Sequence, residues 1–269
     1  MYTGRVDMYR EAIWRRLISA PMLDEIRWNG NIVQEIYRLV WLRLDQFRIF
    51  GFIDCTDVQM CRPTPDESSP FSAEELQRSF YSNYFKAHGV KFQVVVFPDG
   101  MIGSIFGCSI RHNDNGVLNM SGLCTYLMNI LTPMISSVTS VIYPALYGDA
   151  IYQVTPTIIR RHTNPDHFEQ LIDIRMSCCR MFIEHRFGTI FKLFKLLGTK
   201  HRHRVGHGAG DNLMHTVFTS FILLNCYTCL KGSGSYFDIQ PPSIEEYLPL
   251  DEDFPPAPDV IIPDAFIYG

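Results

Sequence analysis

The stretch that most constrains the fold runs from Phe47 to Met60 and reads FRIFGFIDCTDVQM. Aromatic and β-branched residues climb through Phe50, Phe52 and Ile53 to Asp54, and polar residues follow at once. Such a run reads as a buried strand with a carboxylate near its C-terminal end, where α/β sheets gather their chemistry. Two later stretches also set an acid among apolar residues: Asp149 in ALYGDAIY and Glu184 in CRMFIEHRFGTIFKLF. Clustered carboxylates repel unless a cation lies among them. Three acids from three separate elements are therefore what a site for a hard divalent metal, Mg²⁺ or Mn²⁺, needs.

The chain before this strand reads as helical. Trp14, Leu17, Ile18, Met22 and Leu23, then Ile36, Leu39, Val40 and Leu42, recur at roughly helical spacing, with breaks at Pro21 and Asn29-Gly30. Eight Arg against six acids make residues 1–48 mildly basic, but no recognition helix stands out. Beyond the strand, Asp57 lies three positions after Asp54 and points to the opposite face, while Asp66 and Glu67 fall in a polar, solvated loop. Val90 to Phe97 and Met101 to Ile110, joined by Pro98-Asp99-Gly100, predict a β-hairpin. With the first strand it forms an antiparallel meander.

The pattern then predicts a helix over 116–131, a fourth strand over 138–147 delivering Asp149, and a helix over 167–197. In that last helix Glu184 shares a face with Arg180 and Phe187, and Gly188 is expected to permit close packing. Leu213 to Leu230 reads as a closing core helix, and the acidic, Pro-rich chain from Gly232 as extended or disordered. Three strands, helix, strand, helices is the layout of an RNase H-like mixed sheet flanked by helices. The expected organisation is a helical N-terminal segment, 1–46, an RNase H-like domain, 47–231, and a tail, 232–269.

Composition narrows the partners. A net charge of −4 carries no global nucleic-acid signal, yet Arg175 to Arg204 holds eight Lys or Arg against Glu184 alone. Such a local basic strip suits an anionic partner, and equally a solvated helix face. The eight cysteines sit mostly in apolar runs and form no disulfide framework, and no signal peptide opens the chain, which we read as intracellular. Cys226 and Cys229 form a CxxC downstream of His201, His203 and His207, but in so apolar a stretch they read as core residues. Asn115 to Gly148 is free of charge, yet Pro133, Pro144 and many Ser, Thr and Asn make it a buried core segment and not a membrane span.

Several pieces in order resemble the DDE nuclease domain of PIF/Harbinger-type transposases and their domesticated relatives. They are GFIDCT with Cys61-Arg62-Pro63, HGVKFQVVVFPDG, RHNDNGVLNMSGL, YGDAIY and MFIEHRFGTIFKLF, and more weakly Ile222 to Cys226. The resemblance covers about residues 47–230, and Asp149 and Glu184 stand 35 positions apart, the spacing typical of DDE enzymes. It implies that Asp54, Asp149 and Glu184 are the catalytic triad and ligate two Mg²⁺ or Mn²⁺ ions, roughly 4 Å apart in such sites, that cut and join DNA strands. Asp114 matches a further acid assigned to the metal site in some members; the residues alone equally allow it to cap a helix beginning near Asn115.

Arg111 and His112 stand where the family has basic residues that touch phosphate, although Arg-His-Asn-Asp replaces its Arg-Arg-His-Asp. Lys192, Lys195, Lys200, Arg202 and Arg204 are candidates for the DNA backbone. The resemblance further implies DNA as substrate, a Myb-like DNA-binding partner protein, homo-oligomers and a nuclear location, with no membrane attachment. Only some 48 residues precede the core, which fits a truncated member or one recruited as a catalytically silent binding module.

Overall fold

The computed structural model describes residues 48–65, 71–131, 134–137, 140–198, 209–234 and 237–247. The expected helical lead-in and the tail beyond residue 247 lie outside them, as do Asp66, Glu67, Lys200, Arg202, Arg204, His201, His203 and His207. No described helix is long and apolar enough to cross a membrane.

The first strand, β1 (Ile49–Met60), is the axis of a mixed sheet. On one side it runs antiparallel to β3 (Ala87–Val96), which pairs along its outer edge with β4 (Ile102–Ser109) and, at its start, with the two-residue β2 (Tyr81–Ser82). The helix α1 (Ala73–Phe80) leads into β2, its start fixed by a reciprocal cap between Ser72 and Glu75. On its other side β1 runs parallel to β7 (Ala145–Tyr147), which pairs in parallel with β8 (Ile158–Ile159). The antiparallel meander is as the sequence predicts. Its turn closes because Gly100 takes φ +85°, where a side chain would be strained, while Asp99 Oδ1 accepts from the Met101 N–H at 3.0 Å.

Both faces of the sheet are covered by helices. Neighbouring residues of β3 show it: the Gln93 amide donates to Ser121 Oγ at 3.0 Å on one face, while the Phe92 ring meets Phe218 edge-on, 6.4 Å between centroids, on the other. The Ser121 side is built by α2 (Asp114–Ser121) and α3 (Leu123–Ile130). The Phe218 side is built by α4 (His167–Leu193) and α5 (Ala209–Lys231). With cover on both sides, Ile49, Phe50, Phe52 and Ile53 are all fully buried, each such side chain stabilising the fold by about 1.5–3 kcal/mol. Arg186 on α4 locks the second layer: its Nη2 donates to the Gly100 carbonyl at 2.7 Å and to Thr228 Oγ1 on α5.

Several boundaries differ from expectation. β1 does not end near Asp54 but continues to Met60, because its polar residues pair with β3, Asp57 opposite Lys91. The helix expected over 116–131 is two helices broken at Gly122, φ +63°. The fourth strand expected over 138–147 divides into β6 (Ser140–Ile142), which forms a separate hairpin with β5 (Met134–Ser137), and the short β7 that follows Pro144; proline lacks the N–H a continuous ladder would use. The helix over 167–197 ends at Leu193 with a 3₁₀ turn, Lys195–Leu197, behind it. Gly188 is exposed, and a Cβ there would meet nothing within 4 Å, so it serves no close packing.

The first part of the supposed tail also packs. Phe237 is fully buried with its ring 5.8 Å from Phe52, and the short α6 (Ile244–Tyr247) buries Tyr247. Cys226 and Cys229 are half-buried against Met101 and Tyr247, as core cysteines would be.

Candidate metal centre

Phe52 of β1 is registered with Tyr147 of β7. Asp54 and Asp149 each follow that pair by two residues, so both acids leave the parallel part of the sheet at the same level, at the C-terminal end of β7. Asp54 Oδ1 accepts from the Cys55 N–H at 2.8 Å and Oδ2 from Arg180 Nη1 at 3.4 Å. Burial pushes its carboxyl up; the Cys55 N–H and Arg180 pull it down, Asp114 and Asp149 push it up again, and it comes to rest at about 6. Of these effects burial is the largest, because it disfavours the charged form.

Asp149 begins a tight loop in which its own carboxylate accepts from the Ala150 N–H and its carbonyl from the Tyr152 N–H at 3.0 Å. Asn115, in the first turn of α2, holds that loop from the side. Its Nδ2 donates to the Ile151 carbonyl and its Oδ1 accepts from the Gln153 N–H, both at 2.7 Å. Beneath the loop the Tyr152 ring is fully buried, and its hydroxyl lies 3.3 Å from Cys55 Sγ. The acid's position is thus tied to β1 and to α2.

Glu184 is exposed on α4 and reached by Arg180 Nη2 at 2.9 Å, one turn earlier on the same helix. The Arg180 guanidinium therefore joins Asp54 and Glu184, acids from two different elements. Arg186, two residues beyond Glu184, fixes this part of α4 to the β3–β4 turn.

Asp114 does not cap its helix. The cap is Asn113, whose Oδ1 accepts from the Gly116 N–H at 2.8 Å. Asp114 instead takes Lys91 Nζ at 2.7 Å, with Asp57 at 3.9 Å from the same ammonium. Asp57 lies on the face opposite Asp54, as the strand period requires, and burial lifts its carboxyl to about 6 against the pull of Lys91. Burial works against the charge of Lys91, but Asp114 and Asp57 outweigh it and raise its pKa.

Arg111 is exposed and His112 half-buried on the turn between β4 and α2, just before Asp114. Lys192 and Lys195 are exposed at the end of α4 and on the 3₁₀ turn behind it, two turns and more beyond Glu184. What sequence reasoning missed is the long-range half of the Arg180 bridge and the Lys91–Asp57–Asp114 group. A basic residue four before an acid on a helix signals the first pair; nothing local signals the second.

The donors, carboxylate oxygens, are of the kind a hard divalent cation takes. Among the described residues no three His, Cys, Asp or Glu converge closely enough to hold a metal ion. The cation between Asp54 and Glu184 is Arg180.

No match was found among curated proteins or among solved structures. The family model for the DDE superfamily endonuclease matches residues 53–225, a span that begins one residue before Asp54 and ends at Asn225 of α5. That span takes in β1 from Ile53 onward, the Asp149 loop and α4, and covers well over half of the chain, which belongs to the DDE superfamily endonucleases.

Proposed function

We propose that this chain is a divalent-metal-dependent DNA nuclease of the PIF/Harbinger transposase type, cutting and joining phosphodiester bonds with Asp54, Asp149 and Glu184. The observation that carries this reading is the shared level of Asp54 on β1 and Asp149 just beyond the adjacent parallel β7, with Glu184 joined to Asp54 through one guanidinium. Asp54 and Asp149 would hold Mg²⁺ or Mn²⁺ from the sheet and Glu184 from the helix, with Asp114 behind them. When bound, the ions activate a water or 3′-hydroxyl and stabilise the leaving oxygen. The chain's own part is to fix the carboxylates: the Cys55 N–H orients Asp54, the Ala150 N–H orients Asp149, and Arg186 anchors the helix that carries Glu184.

In this reading Arg111, His112, Lys192 and Lys195 hold DNA phosphates, joined by Lys200, Arg202 and Arg204 of the basic strip. A Myb-like partner, self-association and a nuclear location complete the proposal by resemblance to PIF/Harbinger elements. A second reading has a specific observation behind it. The ion pairs of Arg180 satisfy two of the three acids without metal, as a domesticated binding module that has lost catalysis would allow.

Calorimetric titration of Mg²⁺ and Mn²⁺ into wild type and Glu184→Gln, with nicking of supercoiled plasmid in parallel, tests the choice. Binding and nicking that both fall sharply in the variant support the nuclease. Neither in wild type, with DNA binding that survives Asp54→Asn, supports the module.

A further inference from the structure

We propose that Arg180 is the resident counter-ion of this site, and that a divalent metal loads only by displacing its guanidinium from between Asp54 and Glu184. The inference rests on the reading of those two acids as metal ligands. One end of the fork, Nη1, lies 3.4 Å from Asp54 Oδ2; the other, Nη2, lies 2.9 Å from Glu184 Oε1. The lone pairs that Arg180 occupies are those a metal would need. Arginine keeps its charge at any working pH, so it cannot leave the carboxylates by losing a proton. Nor can it stay, because a guanidinium and a divalent ion within a few ångströms repel strongly in a partly buried site.

The guanidinium has somewhere to go. Its side chain is 26% exposed, against 15% for Asp54, so it has readier access to solvent than the acid it pairs with. Its stem is long and rotamer-rich, and the helix beneath it is held independently by Arg186. Without metal, Arg180 keeps the acids from repelling one another and the fold intact; with metal, the ion takes over that task. Metal binding therefore carries the cost of breaking two ion pairs, and affinity is set below what the carboxylates alone would give.

The experiment is a calorimetric titration of Mg²⁺ into the full chain, wild type and Arg180→Ala, with thermal melts in EDTA and in saturating Mg²⁺. Nitrogen-detected NMR of the wild-type arginine side chains accompanies it, with the Arg180 Nε–H signal assigned in wild type through its connection to the Arg180 backbone resonances. The expected result is on the order of tenfold tighter binding in Arg180→Ala, the scale of losing a modest ion-pair energy. The variant should also melt below wild type in EDTA and recover in Mg²⁺, and in wild type the Arg180 signal should shift on loading.

Metal that binds wild type and variant equally, or leaves the Arg180 signal unmoved, overturns the displacement while leaving the metal site standing. Metal that binds neither protein overturns the metal reading itself, and this proposal with it. The NMR arm needs only wild type, so it decides the matter even where Arg180→Ala fails to fold.

Discussion

Asn225 on α5 pairs with Ile102 on β4 as a strand neighbour would: its Oδ1 accepts from the Ile102 N–H at 2.7 Å and its Nδ2 donates to the Ile102 carbonyl at 2.9 Å. The same amide donates to Tyr247 Oη at 2.8 Å, so one fully buried side chain ties helix, sheet and C-terminal segment together. Main-chain groups at a buried sheet position need partners, and each left unpaired costs on the order of 1–3 kcal/mol. Asn225→Leu is therefore expected to lower stability by about 3 kcal/mol or more, read as a shift of the denaturant midpoint.

Asp54 carries a pH signature. Its folded carboxyl rests at about 6, above the ordinary 3.8, so the folded state holds its proton more tightly than the unfolded one. Ionising it costs stability as pH rises through that window, and the cost is complete above pH 6. Asp54→Asn removes the ionisation, so in EDTA the variant should be more stable than wild type by about 1–2 kcal/mol at pH 7.5. Below pH 4 the two should converge. Thermal melts across pH 3.5–8 measure it, and a variant less stable at pH 7.5 would contradict the burial argument.

Lys91→Met strips the one ammonium that Asp57 and Asp114 share. A partly buried carboxylate pair left without its cation is expected to cost about 3 kcal/mol. The loss should be largest above pH 6 and shrink toward pH 4, because Asp57, already raised by burial, then takes up a proton. Equilibrium unfolding of variant and wild type at pH 4.5 and 8 gives both numbers.

Gly148 bears on the site through shape alone. A Cβ there would come within 2.6 Å of the Tyr152 ring and 3.1 Å of Ile53 Cγ2, between the strand and the loop that presents Asp149. Tyr152 is fully buried and cannot swing aside cheaply. Gly148→Ala should cost about 1–3 kcal/mol by overpacking and weaken Mg²⁺ binding as the Asp149 loop is displaced. Melts and metal titration of the same sample separate the two effects.

Much of this was legible in the chain because the signals are local. The apolar climb to Asp54 announces a buried strand; Pro98-Asp99-Gly100 announces its hairpin; the period of α4 puts Arg180 beneath Glu184. What escaped depends on partners far away in sequence. Residues 55–60 look like an exit from the strand, yet they continue it because Lys91 and its neighbours pair with them. β7 is only three residues long, and such a strand has no periodicity of its own to betray it. Arg180 shows its neighbour Glu184 in the sequence but not Asp54, which only the packing of α4 on β1 supplies. The chain after Gly232 reads as polar and Pro-rich, and the single aromatic anchors Phe237 and Tyr247 are too sparse to make a pattern, although each is buried.

The lodging of Phe237 on Phe52 has a consequence for how the protein comes into being. Phe52 lies two residues from Asp54 and leaves the ribosome early, whereas the ring that seals it emerges only after α5 is complete. Until then the strand bearing the first acid has an open apolar flank, the kind of surface that invites misassociation during synthesis. A nascent chain of this protein thus carries Asp54, Asp149 and Glu184 before the ring that covers the Phe52 flank of β1 has been made.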